Sequence, residues 1–184
     1  ASRHADAVNF LIGSAHFGHG QYEKAIFLFN ESNIDMLSPE QQEVYCFRLA
    51  YSLLQIGDME KARGYFARIE QIGTKYREAS TYYVAYIDYA TGKYNNALVE
   101  FTRLKDLPDY KERSLYYITQ IYFIQNKYEK VISEGKELLA SYPDSENNSE
   151  VYRIMGNAYY HLGNEDQAIN MLSKYVSSTD SPLR

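Results

Sequence analysis

Gly57-Asp58-Met59-Glu60-Lys61-Ala62-Arg63-Gly64-Tyr65-Phe66 is a phrase the chain uses again and again. Its skeleton is Gly-x-Tyr-x-x-Ala-x-x-x-Phe, with Met59 in the Tyr place here. An earlier copy carries Gly20, Tyr22, Ala25 and Phe29, and a later one Gly92, Tyr94, Ala97 and Phe101. Two further copies drift: Asn126, Tyr128, Val131 and Gly135, then Gly163, Glu165, Ala168 and Leu172. From Ala25 to Ala62, Ala97, Val131 and Ala168 the steps are 37, 35, 34 and 37 residues. So narrow a period is the mark of a structural repeat, in which each unit stacks on the next.

A second pattern lies upstream of each phrase. Positions 16, 13, 12 and 9 before the alanine are mostly apolar, with a small residue at minus 12. In the second copy they are Cys46, Leu49, Ala50 and Leu53; in the fifth, Tyr152, Met155, Gly156 and Tyr159. That spacing is one face of an α-helix. The phrase opens a second helix, with Ala and Phe four apart on its buried side. The Gly or Asn between the two helices is predicted to take the left-handed backbone that closes a helix. Small residues at Gly13, Ala50, Ala85, Thr119 and Gly156 are expected to face the phrase residues Ala25, Ala62, Ala97, Val131 and Ala168. Close approach of two helices needs short side chains on both.

Local signals place the boundaries. Ser38-Pro39-Glu40-Gln41 offers an N-cap, a first-turn proline and a capping-box glutamine. Pro108-Asp109 opens the fourth pair in the same way, and Asn30 to Leu37 makes a longer connection. The repeats are expected at about 5–37, 40–73, 75–107, 109–143 and 147–178, in one domain spanning 1–184. Ser181-Pro182 reads as the start of another helix. Repeat stacks end in a helix with a polar outer face. None is evident, so the chain is expected to be a fragment of a longer repeat protein.

Spacing and residue types together resemble the tetratricopeptide repeat family over nearly the whole chain. The stretch from Tyr142-Pro143-Asp144-Ser145 to Tyr175 is similar to repeats of bacterial cell-envelope proteins, with Gly156, Tyr159 and Tyr160 in the helix after the corner. Three departures stand out. Asp88 takes an apolar slot, Gly135 takes the Phe slot of the fourth copy, and His16 takes an aromatic slot in the first. The resemblance implies an all-α fold, an α-solenoid of five helix-turn-helix units wound into a right-handed superhelix. It also implies protein binding rather than catalysis, and points to a bacterial periplasmic or membrane-associated setting. That setting also fits a chain that begins at Ala1 without Met.

Composition narrows the choices. The net charge is -5 and the sequence pI near 5.4, with Lys and Arg scattered, so a phosphate-reading basic stripe is missing and nucleic acid is not expected. No run approaches the ~20 apolar residues of a membrane span. Cys46 is the single cysteine, so no internal disulfide forms, and its apolar neighbours make it a buried small hydrophobe. His16 and His19 lie three apart without a further ligand, too few for a metal. No phosphate loop and no nucleophile–base pair is present. Neither enzyme activity, catalytic residues, metal nor cofactor is expected.

The distinctive number is aromatic: 20 Tyr and 8 Phe, with no Trp. In the family, residues 15, 11 and 8 before the phrase alanine line the concave groove. Those offsets give Phe10, Ser14 and Phe17; Phe47, Tyr51 and Leu54; Tyr82, Tyr86 and Tyr89; Tyr116, Gln120 and Phe123; and Arg153, Asn157 and Tyr160. Ten of the fifteen are rings, where a solvated face would carry Lys, Glu and Gln. Tyr suits recognition because it offers a large ring, few rotors and one hydroxyl. The expected ligand is a protein segment, either an extended peptide or a partner helix, with Gln120 and Asn157 reaching its backbone. The Lys and Asn clamp with which some family members grip a chaperone's C-terminal carboxylate is missing, and Arg113 and Arg153 are the groove-side cations that can be named. The same rings could instead serve packing between repeats. A structural spacer, a self-associating segment and a glycan-contacting module are the competing readings.

Overall fold

The computed structural model describes residues 3–72 and 74–179. Among them are ten α-helices and a short 3-10 turn at Ile34–Met36, and no strand. The helices are α1 (Arg3–Gly18), α2 (Tyr22–Asn30), α3 (Pro39–Gln55), α4 (Met59–Ile72) and α5 (Arg77–Ala90). They continue with α6 (Tyr94–Leu104), α7 (Pro108–Ile124), α8 (Tyr128–Ser141), α9 (Asn148–His161) and α10 (Glu165–Thr179). Each copy of the phrase opens an even-numbered helix, and each upstream apolar face lies on the odd-numbered helix before it. Ser181-Pro182 lies outside the described residues.

The corners are one device used five times. Gly20, Gly57, Gly92, Asn126 and Gly163 have φ of 70°, 87°, 77°, 55° and 73°. In each, the amide one residue later donates back to a carbonyl five residues upstream: Gln21 to His16, Asp58 to Leu53, Lys93 to Asp88, Lys127 to Tyr122 and Asn164 to Tyr159, at 2.7 to 2.9 Å. This bond satisfies an orphan carbonyl at the helix end and needs a left-handed residue, which is why Gly or Asn sits there. At the start of α3 the capping box forms as read. Ser38 N–H donates to Gln41 Oε1 at 3.0 Å, and Gln41 N–H donates to Ser38 Oγ at 3.3 Å.

The chain divides into two compact units, residues 1–87 and 88–184. In the first, α2 packs on α1 and α3, and α3 packs on α4, around a core that includes Phe29, Leu49, Phe66 and Ile69. In the second, α6 to α10 pack in sequence around Leu115, Val131, Leu138, Val151 and Ile154. Burying each such side chain contributes ~1.5–3 kcal/mol, which is what holds helices of ordinary propensity in place.

A repeated joint links each even helix to the next odd one. The residue four after the phrase alanine meets positions 13, 14 and 17 before the next. Phe29 packs edge-on against Tyr45 at 5.4 Å, and the Tyr45 hydroxyl donates to the Phe29 carbonyl at 2.9 Å. Tyr83 stacks on Phe66 at 4.9 Å, and Tyr117 on Phe101 at 4.8 Å. The fourth copy has Gly135 in that slot, and the next repeat fills the space. A Cβ on Gly135 would lie 2.6 Å from Met155 Sδ and 3.4 Å from Val151. The small residue at minus 12 makes room for the same position within its own repeat. A Cβ on Gly13 would lie 3.0 Å from the Phe29 ring, and one on Gly156 would lie 2.7 Å from Leu172. The close neighbour is therefore the side chain one turn beyond the phrase alanine.

Two buried acids tie loops to helices. Asp6 Oδ1 accepts from the Asn33 amide at 2.9 Å, and Glu43 Oε1 from the Tyr76 amide at 2.7 Å. Both acids stand 19 residues before their phrase alanine. Each satisfies a backbone donor that would otherwise be left unpaired where the chain leaves the repeat.

Candidate interaction surface

In the first unit Phe17, Phe47, Tyr51 and Tyr82 belong to one set of touching rings, with Tyr86 beside them in a shared depression. Phe10 is the exception, being 5% exposed and packed on Phe29 at 6.4 Å in the core. The others are half-buried. Phe17 meets Tyr51 edge-on at 5.7 Å, and Phe47 stacks on Tyr76 at 4.5 Å. Tyr51 and Phe47 both reach Tyr83, at 5.6 and 6.1 Å, and Tyr82 meets Tyr83 at 5.4 Å. Such offset and edge-to-face pairs contribute ~0.5–1.5 kcal/mol each beyond burial. Tyr82, Tyr83 and Tyr86 line a shallow depression together with Leu54, Gln55 and Met59. Its lining combines two apolar side chains with three phenols and one amide.

In the second unit the same helical positions build a different chemistry. Arg153 donates to Glu150 through Nε at 2.7 Å and Nη2 at 2.6 Å. That pairing holds the Glu150 carboxyl below the usual range, with a smaller contribution from Gln120. Gln120 is buried beside Tyr116, whose phenol burial raises its pKa, with the Glu150 charge adding to the shift. The Arg153 guanidinium also lies 6.0 Å from the centre of the Phe123 ring, and Asn157 turns its amide back to the Arg153 carbonyl at 2.8 Å. Tyr89 meets Tyr94 and Tyr117 at 5.9 and 5.0 Å. Tyr160 is 65% exposed and edge-on to His161, which stacks on Tyr128 at 4.6 Å.

Three contributors escaped the offset rule. Tyr83 and Tyr117 stand 14 before the phrase alanine, one position off the groove stripe, and their doubled Tyr-Tyr sequences (Tyr82-Tyr83, Tyr116-Tyr117) were the available signal. Glu150 stands three before Arg153 on the same helix, a spacing that brings the pair together. Cys46 is buried, and burial raises its thiol pKa. His19 Nδ1 is spent on the Ala15 carbonyl at 2.7 Å. Among the described residues no group of three or more His, Cys, Asp or Glu could hold a metal, and no helix is long and apolar enough to cross a membrane.

Paired antiparallel helices, a left-handed corner at a period of 34 to 37 residues and a recurring ring joint define a helical-repeat protein. Residues 45–71 and 150–178 match the family model of the tetratricopeptide repeat. Those two stretches resemble tetratricopeptide repeats, and the described residues fold as an all-α helical-repeat solenoid. No curated protein matches it in sequence. Among solved structures it is similar to MamA of AMB-1, with TM-score 0.78 and 13% identity, covering 97% of this chain and 94% of that one. A second MamA crystal structure gives 0.77 and 16%, covering 98% of each chain. Kinesin-light-chain TPR-like repeats from Podosopora anserina give 0.67 and 13%, covering 96% of each.

Proposed function

We propose that the chain is an adaptor that holds a segment of another protein, extended or helical, against the ring-bearing face of its odd-numbered helices. The observation that carries this reading is the depression lined by Leu54, Gln55, Met59, Tyr82, Tyr83 and Tyr86. A lining of apolar side chains, phenols and an amide suits a peptide side chain inserted beside a backbone that still needs hydrogen bonds. Tyr and Phe anchors of this kind dominate binding energy when a partner desolvates them, at ~2 kcal/mol or more per hot spot. The second unit carries its own polar group at Gln120, Glu150, Arg153 and Asn157, which offers donors and acceptors to a segment held there.

The test is a pull-down from native extract, read by mass spectrometry. It compares the wild-type chain with a Tyr82→Ala, Tyr86→Ala, Tyr89→Ala variant that circular dichroism shows to be helical. Loss of one partner set with the variant places recognition on this face. An unchanged set removes the rings from recognition and leaves them to packing.

A further inference from the structure

The fifth repeat carries a guanidinium whose donors are only partly spent. The place 18 before the phrase residue holds Ala7, Val44, Ala79 and Arg113 in the other copies, and a carboxylate, Glu150, only in the fifth. Glu150 takes the Arg153 guanidinium from one side, through Nε at 2.7 Å and Nη2 at 2.6 Å. Arginine has five N–H donors in a rigid fork. The other edge of this fork, formed by Nη1 and the second Nη2 hydrogen, has no partner among the described residues, and the side chain is 37% exposed. Gln120, by contrast, is buried and spent on the Glu150 carboxylate and the Tyr116 phenol, so it steadies the pair.

One turn along α9, Asn157 gives a single amide hydrogen to the Arg153 carbonyl at 2.8 Å. Its second hydrogen and its Oδ1 stay open, and the residue is half-buried. Arg153 and Asn157 therefore set out a short row of hydrogen-bonding groups on one helix face. Two physical features of that row select what it can hold. The first is charge. Arg153 and Glu150 together carry none, and a second carboxylate on the open edge would stand close to Glu150 and be repelled. A neutral carbonyl oxygen accepts from the same edge without that repulsion. The second is spacing. Residues four apart on a helix stand ~5–6 Å apart at Cβ, and carbonyls that point the same way in an extended chain recur every ~6.4–6.8 Å. A bound helix offers no such row, because its carbonyls are spent within it.

We propose, resting on the adaptor reading above, that Arg153 and Asn157 hold the backbone of an extended, uncharged peptide segment, and that Glu150 sets this preference by keeping carboxylates off the open edge of Arg153. Arg153 donates to one peptide carbonyl, and Asn157 reads a neighbouring peptide group with its free N–H and Oδ1. Glu150 touches no ligand. It acts through Arg153, by fixing the fork and cancelling its charge, so discrimination against acidic segments comes from repulsion rather than from an added contact.

Random dodecapeptides displayed on phage, selected on the wild-type chain and then depleted on an Arg153→Ala chain, test this. Arg153→Lys serves as a second depleting chain, since it keeps the charge and loses the fork, and circular dichroism confirms the helices of every variant. Peptides that survive depletion are those that need Arg153. They should be poor in Asp and Glu, while the same selection on Glu150→Gln should bring Asp or Glu to one fixed position. A synthetic wild-type survivor with Asp placed at that position should bind the wild-type chain at least ~10-fold more weakly by fluorescence anisotropy. The Glu150→Gln chain should bind both peptides with little difference. Wild-type survivors rich in Asp or Glu would overturn the proposal and make Arg153 a carboxylate site. Survivors of the same composition on Glu150→Gln would overturn the role of Glu150. Peptides recovered on wild type but none surviving depletion would overturn the proposal and leave the adaptor reading standing. A library that yields nothing on wild type would remove both.

Discussion

At matching positions of the repeat, the two units solve the same packing problem with different materials. In residues 1–87 the odd-helix stripe holds Phe17, Phe47 and Tyr51, which join Phe66 and Tyr83 in a connected set of rings. In residues 88–184 the stripe sets Gln120, Arg153 and Asn157 among the rings of Tyr89, Tyr116, Phe123 and Tyr160; Gln120 and Arg153 serve the Glu150 carboxylate, and Asn157 donates to the Arg153 carbonyl. One joint differs as well. Phe66 in the first unit and Phe101 in the second fill it from the even helix, whereas at Gly135 Met155 fills it from the following odd helix. Within this chain the joint is filled each time, though not by the same residue, as close packing requires.

The largest effect should come from emptying the joint. Phe66 is fully buried, between Phe47 at 5.7 Å and Tyr83 at 4.9 Å. Phe66→Ala leaves a cavity lined by rings that cannot collapse far, and should cost ~3–5 kcal/mol. Urea unfolding measures the loss, and hydrogen exchange should place it in residues 1–87. A cost under about 1 kcal/mol would mean that the ring set is not a structural joint. The converse change is Gly135→Phe, which restores the family's ring to a slot already filled. With Met155 Sδ only 2.6 Å from the new Cβ, overpacking should cost ~1–3 kcal/mol. Adding Met155→Ala should return part of that loss, and purely additive costs would break the idea that the two residues share one volume.

These joints also mark how far the sequence could be read. Helix identity, the corner residues and the capping box were legible because each rests on local chemistry: periodicity, a left-handed φ, and a Ser-x-x-Gln pair. The ring stripe was legible as a stripe from its offsets. Which of its rings are buried was not, because burial depends on a neighbour in another helix, as Phe10 does on Phe29, 19 residues away. Phe10 and Phe17 look alike in sequence, yet only Phe10 enters the core. The Gly135 slot shows the same limit: the departure was visible, while its filling by Met155 lay 20 residues downstream in the next repeat. Glu150 was missed because it falls outside the groove offsets, although its spacing to Arg153 was in plain view.

The two units should also respond to opposite ends of the pH scale. In the first, burial, followed by the neighbouring Tyr65 and Cys46, pushes the Tyr45 phenol up to about 12. Its neutral hydroxyl donates to the Phe29 carbonyl, so folding favours the protonated form. A raised folded pKa means that this stability is complete below the unfolded value near 10 and is lost as pH climbs to about 12. The loss should reach ~2 kcal/mol at its limit. Tyr45→Phe should cost ~1 kcal/mol at neutral pH through the missing hydrogen bond, and should flatten the alkaline limb of the melting curve. An unchanged alkaline limb would exclude Tyr45 as its source.

The smallest effect belongs to the second unit, at the acid end. Arg153 holds the Glu150 carboxyl below its ordinary range, so folding favours the ionised form. A lowered folded pKa makes the contribution complete above the unfolded value and lost as pH falls through the folded one. Both side chains remain about a third exposed, at 37% and 35%, and water screens the pair. Its worth should stay below ~1 kcal/mol despite the two short hydrogen bonds. Glu150→Gln should therefore leave the neutral-pH melt nearly unchanged and remove a small acid-side slope. It should, however, release the Arg153 guanidinium that Glu150 now occupies. If this polar group sets the register of a bound acidic segment, Glu150→Gln should tighten binding while Arg153→Ala weakens it. Equal weakening by both would mean that the pair acts as one rigid support, with neither charge reaching the ligand.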